Sequence, residues 1–231
     1  MPYFYVDYWY IVLVIPAVIL SLIASWNVNA TFKKYSKVAS RAGLTGAESA
    51  RRVLSANGVY NVTIEHVSGN LTDHFDPKTN TIRLSDAVYN SNTVAAVGVA
   101  AHEAGHAVQH ALGYTPMKVR AAIIPVTNIG ANISWPLVLI GLLLGSYSLA
   151  MLGVIAFGFS TLFQLVTLPV EFNASHRAVA ALGNTFSSEE EIKGAKKVLF
   201  AAAMTYVAAL AVSLANLLRL ILIVNGSRRR D

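Results

Sequence analysis

From Ala121 to Val170 the chain carries no charged side chain, and that run limits the folds open to it. About 20 residues suffice to cross the hydrocarbon of a bilayer, so the run reads as two transmembrane helices near 123–144 and 149–169. A tight hairpin at Gly145-Ser146-Tyr147-Ser148 joins them. Asn128, Asn132 and Pro136 leave a second reading of the first half, with 121–134 facing protein rather than lipid. Two more apolar spans flank the hairpin. Asp7 to Trp26 has aromatic ends in Tyr8, Trp9, Tyr10 and Trp26, suited to the headgroup region. No Lys or Arg precedes this span and no A-x-A site follows it, so it reads as a helix that stays rather than a signal peptide. The last span, 198–224, is rich in alanine and serine at first, which favours close helix packing. Arg219 near its end is expected to snorkel to the interface. The composition agrees: 55% of the 231 residues are hydrophobic and 13% charged. These values lie outside soluble usage and indicate an integral, multi-pass membrane protein, of the plasma membrane in a prokaryote.

Four crossings put both termini on one side and segments 27–120 and 171–197 on the other. That second side holds every Lys and Arg except Arg219, Arg228, Arg229 and Arg230, the last three in a basic tail at 225–231. The positive-inside rule then places the second side in the cytoplasm. Topology accounts for the net charge of +6, and no aromatic-basic pattern calls for nucleic acid. The oligomeric state is not legible.

On the second side lies His102-Glu103-Ala104-Gly105-His106, an H-E-x-x-H motif. Thr93 offers a helix N-cap, Val94 to Leu112 contains no proline, and Gly113 with Pro116 ends the helix. Histidines at i and i+4 share one helical face and can hold two corners of a tetrahedral zinc (Zn2+) site. Glu103 beside them is placed to act as base toward a water at the metal. The plainer alternative is two histidines packed or solvated on an amphipathic helix. His110 lies a further turn along, about 6 Å away, too far to share a metal bound at about 2 Å; it reads as a surface or supporting residue. The longer H-E-x-x-H-x-x-G-x-x-H pattern is absent, since Gln109 and Leu112 stand at its glycine and last histidine. No cysteine is present, so a third ligand must be His, Glu or Asp. Glu171, directly after the charge-free run, is the candidate. On spacing alone it serves equally well as a mark of the membrane interface.

Segment 27–120 has room for a small domain that leans on the membrane helices. Thr45-Gly46-Ala47-Glu48 is a capping box and Gly58 the matching stop. Strands are expected at Val62 to Val67, Leu71 to Phe75 and Thr81 to Leu84, as a β-meander, with Ser85 capping a short helix. Thr81 to Leu84 would be the edge, able to bind an extended peptide by main-chain hydrogen bonds or to serve as plain structure. Asp73 and His74 are polar residues within a strand, and a solvent-facing His74 is the simpler reading. The fold class is mainly α, α+β: a polytopic membrane helix bundle with a small domain built from the motif helix and the β-meander.

The chain resembles the YugP-type membrane zinc metallopeptidases, distant relatives of the gluzincin peptidases that include the CAAX prenyl proteases. The matching stretches are Gly43 to Glu48, Leu71 to Pro77, Ala100 to His110, Phe163 to Ser175 and Gly194 to Leu199. The resemblance implies a zincin-like catalytic portion at 27–120 and a third-ligand helix and loop at 171–197. It implies that His102, His106 and Glu171 bind zinc and that Glu103 is the base. The wider gluzincin pattern E-x-x-x-D has an aspartate that orients a zinc histidine. Ser175 holds that place here, so Asn173, Ser175 or another residue orients the imidazoles. His74, His176 and Arg177 are candidates to stabilise an oxyanion. The function expected is zinc endopeptidase, acting on a peptide or membrane-protein substrate. Two rivals stand beside it: a site-2-type intramembrane protease, which lacks its L-D-G motif here, and a membrane scaffold or chaperone-like factor with a structural metal site.

Overall fold

The computed structural model describes residues 7–183 and 188–228. A π-helical turn at Tyr10–Val14 leads into α1 (Ile15–Tyr35). Then follow α2 (Gly46–Ala56), β1 (Thr63–Val67), β2 (His74–Asp76), β3 (Thr81–Ser85), α3 (Val94–Ala111), α4 (Thr115–Leu143), α5 (Tyr147–Gly183) and α6 (Glu189–Arg228). The four helical stretches Tyr10–Tyr35, Thr115–Leu143, Tyr147–Gly183 and Glu189–Ser227 are long and apolar enough to cross a membrane. The chain divides into two compact units: 1–24 with 118–168 and 205–231, and 25–117 with 169–204.

In the first unit, α4 and α5 are joined by a turn in which Gly145 has φ +64°. The buried face of α4 is Thr127, Gly130, Ser134, Val138 and Gly141. A Cβ on Gly130 would lie 2.6 Å from the Ala156 carbonyl oxygen, and one on Gly153 2.7 Å from that of Ser134. Small residues thus let the two backbones touch, as membrane helices pack in the absence of a hydrophobic driving force. Asn128, Asn132 and Pro136 are exposed, so the protein-facing side of α4 is not the one those residues mark. Arg219 does not snorkel alone. Its Nε and Nη2 donate to Asp7 Oδ2 at 2.8 and 2.6 Å. Arg229 and Arg230 lie outside the described residues.

In the second unit, the Thr45 capping box forms in full and Gly58 takes φ +70° past the end of α2. Ala47, Ala50, Val53 and Leu54 form one buried stripe, at the spacing of an amphipathic helix, and α2 packs on α3. Apolar on most sides, α3 is buried on most sides, including Val94, Val97, Ala100, Ala101, Ala104 and Val108.

The three strands are present, but their order is β1-β3-β2 rather than that of a meander. β3 pairs parallel with β1 (Thr63↔Thr81 to Val67↔Ser85) and antiparallel with β2 (His74↔Arg83, Phe75↔Ile82, Asp76↔Thr81). Burial gives the reason. Ile82, Leu84 and Ser85 are fully buried and Thr81 nearly so, whereas β1 and β2 keep exposed residues. The most buried strand takes the centre, so Thr81 to Leu84 is not an edge. Asp73 lies just outside β2, and its carboxylate accepts from Ser85 N at 2.7 Å and Ser85 Oγ at 2.9 Å. That hydroxyl is therefore no helix cap, and Asp86 to Asn90 forms turns instead of a helix. Asp73→Ala strands two donors at the end of β3 and is expected to destabilise this unit by about 1–3 kcal/mol, read as a lower midpoint in chemical denaturation of the detergent-solubilised protein.

Candidate metal centre

Two helices of the second unit build the site. The histidines come from α3, capped by Thr93 Oγ1 accepting from Ala96 N. The carboxylate comes from α5, which does not stop where the charge-free run stops. Its 37 residues extend about 55 Å at 1.5 Å per residue, against about 30 Å of hydrocarbon. The helix therefore continues through Pro169 and includes Glu171. Gly105 lies between the two histidines, and a Cβ there would sit 2.7 Å from the Ala174 carbonyl oxygen. Only glycine lets the backbones of α3 and α5 come this close.

His102, His106 and Glu171 converge, with one ligand atom from each, all within 4.8 Å of one another. Glu171 Oε2 is 3.3 Å from His102 Nε2 and 3.5 Å from His106 Nε2. Two ligands on one tetrahedral zinc, each about 2 Å from the metal, are about 3.3 Å apart. Two imidazole nitrogens and one carboxylate oxygen are also the donor chemistry zinc accepts. The residues present fit the ion.

The orienting contacts close the gap left at position 175. His102 Nδ1 lies 3.1 Å from Ser175 Oγ, an oxygen that can accept as the missing aspartate would. His106 Nδ1 lies 3.0 Å from Gln109 Oε1. Gln109 Nε2 donates to the Val170 carbonyl and to Asn173 Oδ1, both at 2.9 Å. Those two bonds fix which end of the amide is oxygen, so His106 Nδ1 carries the hydrogen and its Nε2 lone pair is free for a metal. Arg177 Nε adds a donor to Asn173 Oδ1 at 2.8 Å. Sequence reasoning missed Gln109, which is fully buried. The available signal was its place three residues after His106, one turn along the same face.

Glu103 is 8% exposed and makes no hydrogen bond or ion pair with a described residue. His106 is pulled two ways. Burial of its ring opposes a positive charge, but the hydrogen bond to Glu171 and the charges of Glu103 and Glu171 outweigh it and raise its pKa above the ordinary value. The negative charge that draws a proton there also draws a divalent cation. Other candidates lie elsewhere. His74 is exposed, with Nδ1 held to the Thr72 carbonyl at 2.8 Å. His176 is exposed, five positions and roughly 140° around α5 from Glu171. His110 is exposed too, its ring 5.7 Å from that of Phe75.

The profile of a family described as "Putative neutral zinc metallopeptidase" matches residues 10–225. A Bacillus subtilis (strain 168) protein named "Putative membrane protease YugP" is 48% identical over 219 residues, 94% of this chain and 97% of that one. No solved structure matches. Gln109→Leu is expected to lower zinc affinity about 10- to 100-fold, measured by competition with a chromophoric chelator. An unchanged affinity would mean that His106 needs no partner at Nδ1.

Proposed function

Since the chain belongs to the neutral zinc metallopeptidase family, we propose that it is a multi-pass membrane zinc endopeptidase. The observation that carries this reading is the convergence of His102, His106 and Glu171 beside a buried glutamate, Glu103, that has no partner among the described residues. When bound, zinc supplies a Lewis acid that acidifies water and polarises a carbonyl. Three protein ligands, rather than four, is the number that catalytic zinc sites use. Glu103 takes the proton of the attacking water and delivers it to the departing amine nitrogen. Ser175 and Gln109 hold the imidazoles with Nε2 toward the ion. Of the oxyanion candidates, Arg177 is the one joined to this network, through Asn173.

The substrate is a peptide or a segment of a membrane protein. With β3 central, the free edges belong to β1 and β2. β2 packs on α3, so its edge is the one suited to align an extended chain beside the motif helix. The expected pair of results separates binding from chemistry. Glu103→Gln keeps its zinc and loses at least 100-fold in cleavage of an unfolded protein substrate, while Glu171→Ala loses zinc as well. Cleavage by Glu103→Gln at the wild-type rate would remove the base from the mechanism.

Sidedness follows the basic residues. Lys33, Lys34, Lys37, Lys118, Lys193, Lys196 and Lys197 cluster near the ends of the spans on the side that carries the motif, which supports a site facing the cytoplasm. The chain has no cysteine, so Lys78→Cys, in the exposed turn before β3, gives a single label. A membrane-impermeant maleimide should react with it only after the cells are opened. Reaction in intact cells would reverse the orientation.

A further inference from the structure

A groove of about 480 Å³ lies in the second unit between the end of α1 and the start of α6. Lys34, Lys196 and Lys197 line it with Asn27, Thr31, Tyr35, Phe200 and Ala201. The three ammonium groups lie on neighbouring helices, and no carboxylate of a described residue pairs with any of them. Like charges that line one groove repel one another, and an anion among them would offset that repulsion.

The groove also straddles a boundary. On α1 the uncharged run from Tyr8 to Phe32 ends at Lys33 and Lys34. On α6 Lys196 and Lys197 immediately precede the uncharged run from Val198 to Leu218. The lysines therefore stand at headgroup level, where long basic side chains meet phosphate. Below them the wall turns apolar, with Phe200 60% exposed. Asn27 and Thr31 add polar groups on the same face of α1, one turn apart. A charged mouth above an apolar wall matches an amphiphile. A soluble acidic peptide or a free phosphate would have no use for the lower half.

We propose that this groove binds one anionic phospholipid, its phosphate among Lys34, Lys196 and Lys197 and its acyl chain along Phe200. The test uses full-length protein titrated in neutral detergent with phosphatidylglycerol, phosphatidylcholine or glycerol phosphate, read by native mass spectrometry. Phosphatidylglycerol should be retained about tenfold better than phosphatidylcholine, and glycerol phosphate should not be retained. The triple variant Lys34→Gln, Lys196→Gln, Lys197→Gln should lose that preference. A control that removes equal charge elsewhere (Arg51→Gln, Arg52→Gln, Lys78→Gln) should keep it. Equal zinc content in all three proteins checks that the fold is intact. The proposal fails if the triple variant keeps the preference, if the control loses it as fully, or if glycerol phosphate binds as well as the lipid. Should the triple variant not fold, Phe200→Ser provides the second arm. It should weaken retention of the lipid, and full retention would overturn the placement of the acyl chain.

Discussion

The metal group depends on a contact between two backbones. Gly105 of α3 lies against Ala174 of α5 at a distance that a single added carbon would close. Gly105 stands between His102 and His106; Ala174 stands between Glu171 and Ser175. Each helix therefore touches the other in the middle of its candidate site residues, and the side chains on both flanks of the contact meet. Side chains at i and i+4 rise on one face, so closeness at the centre brings Glu171 to both imidazoles and Ser175 to one of them. A larger residue at 105 would separate the sets by more than the slack of a bond of about 2 Å to zinc.

The helical setting of Glu171 supplies the second half of the arrangement. A carboxylate delivered by a loop would pay chain entropy to hold its place. Here the ligand rides on an unbroken helix whose apolar stretch is suited to a bilayer. Pro169 sits inside that helix without ending it, as prolines do in membrane helices whose neighbours take up the freed groups. Nearby, the Val170 carbonyl accepts from Gln109. The bond that orients His106 thus also ties α3 to α5 one residue from Glu171.

Features written in local pattern were legible in the sequence. The capping box at Thr45, the cap at Thr93 and the two histidines one turn apart stand where cap residues and periodicity put them, and four helices are long and apolar enough to cross a membrane. Glu171 was legible as a lone charge after an uncharged run, though the run gave no means of choosing a ligand over an interface marker. What failed was non-local. Strand order depends on which strand the core covers, and β3 is covered by α3 and by the strands on either side of it. Gln109 was passed over because its place one turn after His106 gains meaning only when the partner helix brings Val170 and Asn173 to its amide. The outward Asn128 and Asn132 misled for the same reason: the protein-facing side of α4 is set by Thr127, Gly130 and Ser134, whose small size is the signal for close packing.

The same geometry weighs the two rival readings. An intramembrane protease needs its motif helix at hydrocarbon depth, yet α3 is not among the helices apolar enough to cross a membrane. It is wrapped instead by α2 and the sheet, where Glu103 and the histidines escape the cost of ionisable groups facing lipid. A structural metal site needs a closed set of ligands, and a fourth His, Cys, Asp or Glu donor beside the three is absent among the described residues. Such a site would also leave Glu103 without purpose. A carboxylate at 8% exposure, without a described partner, is what the proposed endopeptidase reading uses as its base.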